Sequence, residues 1–248
     1  MLRFKVFTLF PEIIDNYIEY NAPLKRGIKN QVLAVEAVNF RDFSESRHRK
    51  VDDIVYGGGP GMVIAPGPVV KAVRAHQRPG SRILIMDPRG RKMNNELARE
   101  LAREEEVFLL CARYEGFDQR IYDILAPEAV SLGDFVLTGG ELPAMAVVDA
   151  TARFVPGSMD SYESQAEESF NFDGLLEYDH YTRPENFEEF LVPDVLRQGN
   201  HKEIDNWRLK KSLKNTIKNR PDLLKLLNLN PTKLDMVKII VKELYGGH

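Results

Sequence analysis

The sequence predicts an α/β protein whose mostly parallel sheet carries helices on both faces. Short β-branched and aromatic runs alternate with stretches of helical period, which is typical of βαβ units. The chain has 248 residues, enough to bury a full α/β core. Near the C-terminus both the charge and the pattern change, and a small all-α domain is predicted there.

The predicted elements follow one another as strands and helices. The strand runs are FKVFTLF, VLAVEAV, RILIM and VFLLC, and the helical runs are PEIIDNYIEY, NNELARELAREE and DQRIYDIL. A further parallel strand is expected before SLGDFVLTGGE. ELPAMAVVDATARF then forms a helix with Pro143 near its start, where proline is tolerated. Pro156 and Gly157 are expected to stop this helix.

Charge is sorted along the chain. Residues 1–155 carry 21 basic and 21 acidic side chains, residues 156–196 carry 1 and 11, and residues 197–248 carry 12 and 5. A clustered basic surface indicates a polyanionic partner such as RNA or DNA. We therefore expect an α/β domain over 1–157, a flexible acidic linker over 158–174 and a basic helical domain over 175–248.

The basic region has helical periodicity. IDNWRLKKSLKNTIKNR places Ile204, Trp207, Leu213 and Ile217 near one helical face. Its cations lie mostly elsewhere, and PDLLKLLN and PTKLDMVKIIVKELY are expected to form two further helices. The cations expected to contact the phosphates of such a polyanion are Arg208, Lys210, Lys211, Lys214 and Lys218.

Composition excludes several classes of protein. No run of about 18 apolar residues is present, so no membrane span is expected, and the N-terminus does not resemble a signal peptide. The single cysteine, Cys111, excludes an intramolecular disulfide, and the five histidines are too scattered for a zinc site. The sequence therefore predicts a cytoplasmic protein.

Three loops are expected to carry chemistry because each follows a predicted parallel strand. They are MDPRGR (86–91), CARYEGFD (111–118) and SLGDFVLTGGE (131–141). Ligands of open α/β sheets bind outside the carboxyl ends of the strands, so these loops predict one shared small-molecule site. Its polar candidates are Arg113, Glu115, Asp118 and Asp134. Glu115 and Arg113 are equally well placed for an exposed ion pair.

Two other features have simple structural alternatives. YGGGPGM (56–62) holds four glycines in five positions, which suits close approach of backbone amides to an anion or base, or a tight surface turn. It is not a Walker A loop, because no Gly-Lys-Ser/Thr follows. Arg153 lies four residues after Asp149, the spacing of a helical salt bridge.

Several motifs occur together in a fixed order. They are VDDIVYGGGPGM, CARYEGFDQR, SLGDFVLTGGELPAM, EESF, GLLEYDHYTRP, VPDVLRQGNH and WRLKKSLKNT. From the first strand to about residue 220 the chain closely resembles the bacterial tRNA (guanine-N1-)methyltransferases, members of the knotted SPOUT superfamily. The resemblance implies an S-adenosylmethionine donor, a homodimer, and methylation of the guanine at tRNA position 37, immediately 3′ of the anticodon.

The resemblance also implies a deep trefoil knot, formed by the loops around residues 86–91, 111–117 and 131–140, which would hold the donor bent. The donor-binding residues it implies are Pro88, Ala112, Tyr114, Glu115, Gly116, Leu132, Gly133, Asp134, Phe135, Val136, Leu137, Gly139 and Gly140. The tRNA-binding residues it implies are Asp52, Gly58, Gly59, Ser164, His180, Arg183, Asn200, His201, Arg208, Lys211 and Lys214. The resemblance is also compatible with a requirement for Mg²⁺, but the sequence does not specify which residues would bind the ion.

Two departures from the family pattern concern the chemistry. Ala112 stands where the family usually has glycine, and a Cβ there affects close packing of backbone against a ligand. The acidic motif usually reads Glu-Asp-Ser-Phe, with the Asp as proposed base, whereas this chain has Glu167 and Glu168 before Ser169. We expect Glu168 to act as the base and Arg153 to stabilise charge on guanine O6.

Three other functions fit parts of the sequence. One is an RNA-binding regulatory protein that keeps the fold but has lost catalysis through the changes at Ala112 and Glu168. Another is a phosphate- or nucleotide-binding enzyme that uses the GGGPG loop, which the missing Walker lysine disfavours. A third is a methyltransferase that acts on a different tRNA base.

Overall fold

The computed structural model describes residues 1–159, 167–171, 174–226 and 231–246. It divides into two compact units, Met1–Asp160 and Ser161–His248. No helix within the described ranges is both long and apolar enough to cross a membrane.

The N-terminal unit is built on a five-stranded sheet in which every neighbouring pair is parallel. Its strands are β1 (Leu2–Thr8), β2 (Leu33–Asn39), β5 (Arg82–Lys92), β6 (Glu106–Leu110) and β7 (Glu128–Ser131), in the order β2-β1-β6-β5-β7. Two short strands, β3 (Asp52–Ile54) and β4 (Met62–Ile64), form a separate antiparallel pair. The predicted α/β class with a mostly parallel sheet is confirmed.

Helices cover both faces of this sheet. They are α1 (Pro11–Tyr20), α2 (Ala22–Lys29), α3 (Pro66–His76), α4 (Asn95–Leu101), α5 (Gln119–Leu125) and α6 (Glu141–Ala152), with a 3-10 turn at Phe40–Phe43. Alternate residues of a strand point to opposite faces. In β6, Leu109 therefore packs with α1, α2, α4 and α6, whereas Phe108 packs with α3 and α5.

The strands and helices predicted for this unit are present, with three differences. Helices α2 and α3 were not predicted, because Pro23, Gly27 and Gly67 interrupt their apolar pattern. The segment MDPRGR was expected to be a loop but belongs to β5. The register of β5 on β7 shifts between Met86 and Arg91, so the strand bulges there and continues.

The C-terminal unit is mainly helical. It contains α7 (His201–Asn219), α8 (Pro231–Tyr245), 3-10 turns at Asp194–Leu196 and Pro221–Leu226, and a hairpin of β8 (Asn186–Phe187) and β9 (Phe190–Leu191). Its buried core consists of Leu175, Leu213, Ile217 and Ile240.

Two expectations for this unit were wrong in detail. The hairpin means that the unit is not all-α. PDLLKLLN does not start as an α-helix, because the backbone turns with i to i+3 bonding, as from Leu223 N–H to the Arg220 carbonyl at 3.1 Å. Leu213 and Ile217 of the predicted apolar face are buried, whereas Ile204 and Trp207 are only partly covered.

Candidate active site

A cleft of about 520 Å³ opens at the carboxyl ends of β5, β6 and β7. Its walls come from the three segments that the sequence singled out, around residues 86–89, 112–119 and 130–140. Parallel strands bring these ends to one edge of the sheet, which is where ligands of open α/β sheets bind. The volume lies in the range of small-molecule sites.

The cleft gathers most of the donor-binding residues that the family resemblance implied. Pro88, Ala112, Tyr114, Glu115, Gly116, Leu132, Phe135, Val136, Leu137, Gly139 and Gly140 line it. Gly133 and Asp134 do not, and the Asp134 carboxylate instead pairs with Lys92 Nζ at 2.8 Å. Asp118 lies outside the lining as well, where its carboxylate caps α5 and binds Arg120.

Close backbone packing holds the loops of the cleft together. Gly140 N–H donates to the Ala112 carbonyl at 2.9 Å. A Cβ at Gly140 would lie 2.6 Å from Cys111 Cα and 3.0 Å from Ala112 N, which is closer than van der Waals contact. Gly90 lies equally tightly against the Ala129–Val130 backbone of β7. Residues with side chains could not bring these segments so close.

A buried acidic side chain lies beneath the cleft. Glu141, at the first turn of α6, is 1% exposed. Its Oε1 accepts a hydrogen bond from Thr8 Oγ1 at 2.7 Å, and its Oε2 lies 2.9 Å from Arg113 Nε. The Arg113 guanidinium also stacks on Phe10, 4.6 Å from the ring centre. The sequence had allowed an exposed ion pair between Arg113 and Glu115. In the structure Arg113 pairs with the buried Glu141 instead.

A second ion pair forms part of the cleft wall. Asp87 accepts hydrogen bonds from Arg89 Nε at 3.0 Å and Nη2 at 2.7 Å, and from Tyr122 Oη at 2.5 Å. Hydrogen bonding to Arg89 lowers the pKa of Asp87 to about 2, and burial raises the pKa of Tyr122 to about 12. Asp87 is thus an anion and Tyr122 a neutral donor at neutral pH.

The glycine-rich loop 56–62 is tied to the same side of the sheet. Glu115 N–H donates to the Met62 carbonyl at 3.0 Å, and Ile64 N–H donates to the Gly116 carbonyl at 2.9 Å. Gly58 and Gly59 are exposed in this loop and do not line the cleft, and Asp52 lies in β3. The loop is therefore positioned next to the cleft without forming its wall.

Arg153 follows the last residue of α6 and is partly buried. Asp149, four residues earlier on α6, has hydrogen-bond partners that its spacing to Arg153 did not indicate. Its carboxylate accepts hydrogen bonds from Tyr17 Oη at 2.5 Å and Asn21 Nδ2 at 3.1 Å. Two neutral donors from α1 and the residue after it therefore hold the Asp149 carboxylate by hydrogen bonds.

In the C-terminal unit, the acidic motif packs against α7. Tyr178 Oη donates a hydrogen bond to Glu167, and Arg208 Nη1 lies 3.4 Å from the same carboxylate. The Arg208 guanidinium also covers the Tyr178 ring at 4.9 Å. Glu168 comes next in the chain, and its carbonyl accepts from Asn171 N–H at 3.0 Å. Glu167 therefore anchors the segment that carries the predicted base.

The other residues expected to contact tRNA lie mostly on the surface of this unit. Lys211 Nζ pairs with Asp179 at 3.0 Å, and His180 Nε2 lies 2.8 Å from Glu177. Lys210 Nζ pairs with Glu243 at 3.0 Å. The remaining predicted residues in the described ranges are Arg183, Asn200, His201 and Lys218, which are exposed, and Lys214, which is partly buried. Ser164 lies outside the described residues.

Arg89 and Tyr122 line the cleft but were not predicted as binding residues, whereas Arg113, which also lines it, was a polar candidate from the sequence. For Arg89 the signal was available, since it belongs to the MDPRGR segment that follows a predicted strand. Tyr122 lies on α5, and its approach to Asp87 depends on tertiary packing that sequence does not reveal. No cluster of three or more metal-ligating side chains occurs among the described residues.

Comparison with known proteins places this geometry in a family. The family model described as tRNA (Guanine-1)-methyltransferase TrmD matches residues 2–226. A relative named tRNA (guanine-N(1)-)-methyltransferase, from Dictyoglomus turgidum (strain DSM 6724 / Z-1310), is 44% identical over 244 residues, which is 98% of each chain.

Two further relatives carry the same name. The protein from Dehalococcoides mccartyi (strain CBDB1) is 44% identical over 246 residues, 98% of each chain. The protein from Clostridioides difficile (strain 630) is 43% identical over 231 residues, 92% of this chain and 99% of the relative. The chain therefore belongs to the tRNA (guanine-1)-methyltransferase family.

Proposed function

We propose that this protein transfers a methyl group from S-adenosyl-L-methionine to N1 of the guanine at tRNA position 37. The observation that carries the proposal is the family match over residues 2–226, since it includes every segment that lines the cleft. It acts as a cytoplasmic homodimer, with 1–157 as the donor-binding domain and 175–248 as the tRNA-binding domain. The acidic linker between them, 158–174, lies partly outside the described residues.

The residues of the cleft fit the methyl donor. Phe135, Val136 and Leu137 supply an apolar wall suited to an adenine ring, and Gly139 and Gly140 line the cleft beside them. Glu115, at the opposite loop, attracts the donor's cationic groups. When bound, S-adenosylmethionine supplies an electrophilic methyl group on a sulfonium.

A trefoil knot is the proposed reason why the backbone segments around the cleft pack so closely. Knots are nearly absent from protein folds, so the sheet order alone does not predict one. The expectation rests on the family resemblance and is supported by the backbone packing of Gly140 on Cys111 and of Gly90 on β7. A knotted chain would keep the cleft loops in place without relying on side-chain contacts.

Glu168 is proposed as the base that accepts the N1 proton. A free carboxylate and guanine N1 differ by about five pK units, so complete deprotonation would cost about 7 kcal/mol. Arg153 lowers this cost by stabilising the negative charge that develops on guanine O6. In the proposed homodimer the two residues come from different subunits, and the acidic segment completes the site when tRNA binds.

The basic surface of α7 is proposed to hold the anticodon branch through phosphates. Arg208 and Lys211 already pair with Glu167 and Asp179. A phosphate that binds Arg208 would compete with Glu167, the neighbour of the proposed base. Binding of tRNA would thus release the segment that carries Glu168. A requirement for Mg²⁺ stays a prediction.

Nucleoside mass spectrometry tests the proposal. Purified protein is incubated with S-adenosylmethionine and a tRNA transcript that has guanine at position 37, and the digested nucleosides are analysed. We expect 1-methylguanosine, and none from a matched transcript with adenine at position 37. Methylation at another position would support a different tRNA methyltransferase. Tight tRNA binding without donor binding or methylation would support the regulatory protein.

A further inference from the structure

We propose that Arg89 binds the carboxylate of the methyl donor's methionine tail and thereby selects donors that carry this group. The inference rests on the proposed function, because it assumes that S-adenosylmethionine occupies the cleft. It concerns a residue that neither the family motifs nor the charge pattern singled out.

The first argument is geometric. Arg89 directs Nε and Nη2 at the Asp87 carboxylate, at 3.0 and 2.7 Å. A guanidinium carries five N–H donors, so the edge formed by Nη1 and the second hydrogen of Nη2 remains directed away from Asp87. That edge has the geometry for a bidentate bond to a second carboxylate.

The second argument is that the side chain is held in place. The Asp87 side chain is 8% exposed, so the partner of Arg89 is fixed in the protein, whereas Arg89 itself is 67% exposed. The guanidinium also stacks over Tyr122, with 5.0 Å between the Arg89 Cζ and the ring centre. Fixing a guanidinium before binding reduces the entropy lost when a ligand arrives.

The third argument is charge complementarity. Among the described residues that line the cleft, the two arginines are Arg89 and Arg113. Arg113 is only 23% exposed and is paired with the buried Glu141. Arg89 is therefore the cation that the cleft presents most openly. The carboxylate is the only anionic group of S-adenosylmethionine, and Arg89 is its natural partner.

Isothermal titration calorimetry without tRNA tests the inference, because binding is then measured apart from methyl transfer. The probes are S-adenosylmethionine and its decarboxylated analogue, which has the same sulfonium and amine. We expect the wild-type protein to bind the analogue about tenfold more weakly, as for loss of one charged hydrogen-bonding pair. We expect Arg89→Gln to bind S-adenosylmethionine about tenfold more weakly and the analogue as the wild type does.

Arg91→Gln is the matched control, since Arg91 belongs to the same strand but pairs with Glu100 at 2.8 Å and does not line the cleft. It should leave both affinities unchanged. Equal weakening of both ligands by Arg89→Gln, or no weakening, would overturn the assignment to Arg89. If the wild-type protein binds neither ligand, the proposed function fails and this inference fails with it.

Discussion

Gly140→Ala tests whether close backbone packing shapes the cleft. Gly140 has ordinary helical backbone angles, with φ −81°, so alanine introduces no backbone strain and the effect is purely steric. The new Cβ would lie 2.6 Å from Cys111 Cα and 3.0 Å from Ala112 N. Both neighbours are backbone atoms, so relief requires α6 and the 111–112 segment to separate by several tenths of an ångström.

Overpacking of this kind costs about 1–3 kcal/mol, and we expect a value near 3 because no flexible side chain can give way. For a domain of this size, that lowers the melting temperature by roughly 6–12 °C. The displaced Ala112 lines the cleft, so affinity for S-adenosylmethionine should fall as well. Thermal unfolding and calorimetry measure the two effects.

Gly67→Ala is the matched control, because a Cβ at this exposed position in α3 meets nothing within 4 Å. It should change stability little, because the better helix propensity of alanine is offset by Pro68, which disfavours helical backbone in the residue before it. If Gly140→Ala melts at the same temperature as Gly67→Ala and binds the donor like the wild type, the packing argument is refuted.

Three further predictions concern the base, the tRNA surface and acid stability. Glu168→Gln should reduce turnover by about 10²–10⁴-fold in single-turnover assays and leave donor affinity unchanged, whereas Glu167→Gln should remain active; the reverse pattern would move the base to Glu167. Affinity for tRNA falls as salt rises, and Lys214→Ala should make the slope of log affinity against log salt less steep by just under one. An unchanged slope would show that Lys214 does not contact a phosphate. The depressed pKa of Asp87 means that its ionised form adds stability above about pH 4, which is lost as the pH falls through about 2. Asp87→Asn should therefore cost about 1–2 kcal/mol in urea unfolding at pH 6 and progressively less towards pH 2, and a pH-independent difference would contradict the assignment.

The sheet was predictable because its strands have a strong local signal. β6 is fully buried, and its apolar run is recognisable without knowledge of its neighbours. Helix α3 was not predictable in the same way, since it begins Pro-Gly-Pro and its apolar side chains are held by packing against β1 and α5. The continuation of β5 through Pro88 and Gly90 likewise depends on β7, which is distant in sequence.

The candidate site was predictable as a set of loops but not as a set of contacts. The rule that ligands bind at the carboxyl ends of parallel strands correctly selected the segments that contain Pro88, Ala112 and Gly140. Spacing offered local alternatives for the charged side chains, Glu115 for Arg113 and Arg153 for Asp149, but it did not reveal their tertiary partners. Arg113 pairs with Glu141, and the Asp149 carboxylate binds Tyr17 and Asn21.

The most direct measurement is a crystal structure of the protein with tRNA and a non-reactive analogue of S-adenosylmethionine. The account predicts the analogue in the cleft between Pro88, Ala112 and Gly140. It also predicts guanine 37 between Arg153 of one subunit and Glu168 of the partner subunit. A complex in which the analogue lies elsewhere, or in which Arg153 and Glu168 are both remote from the acceptor guanine, would contradict it.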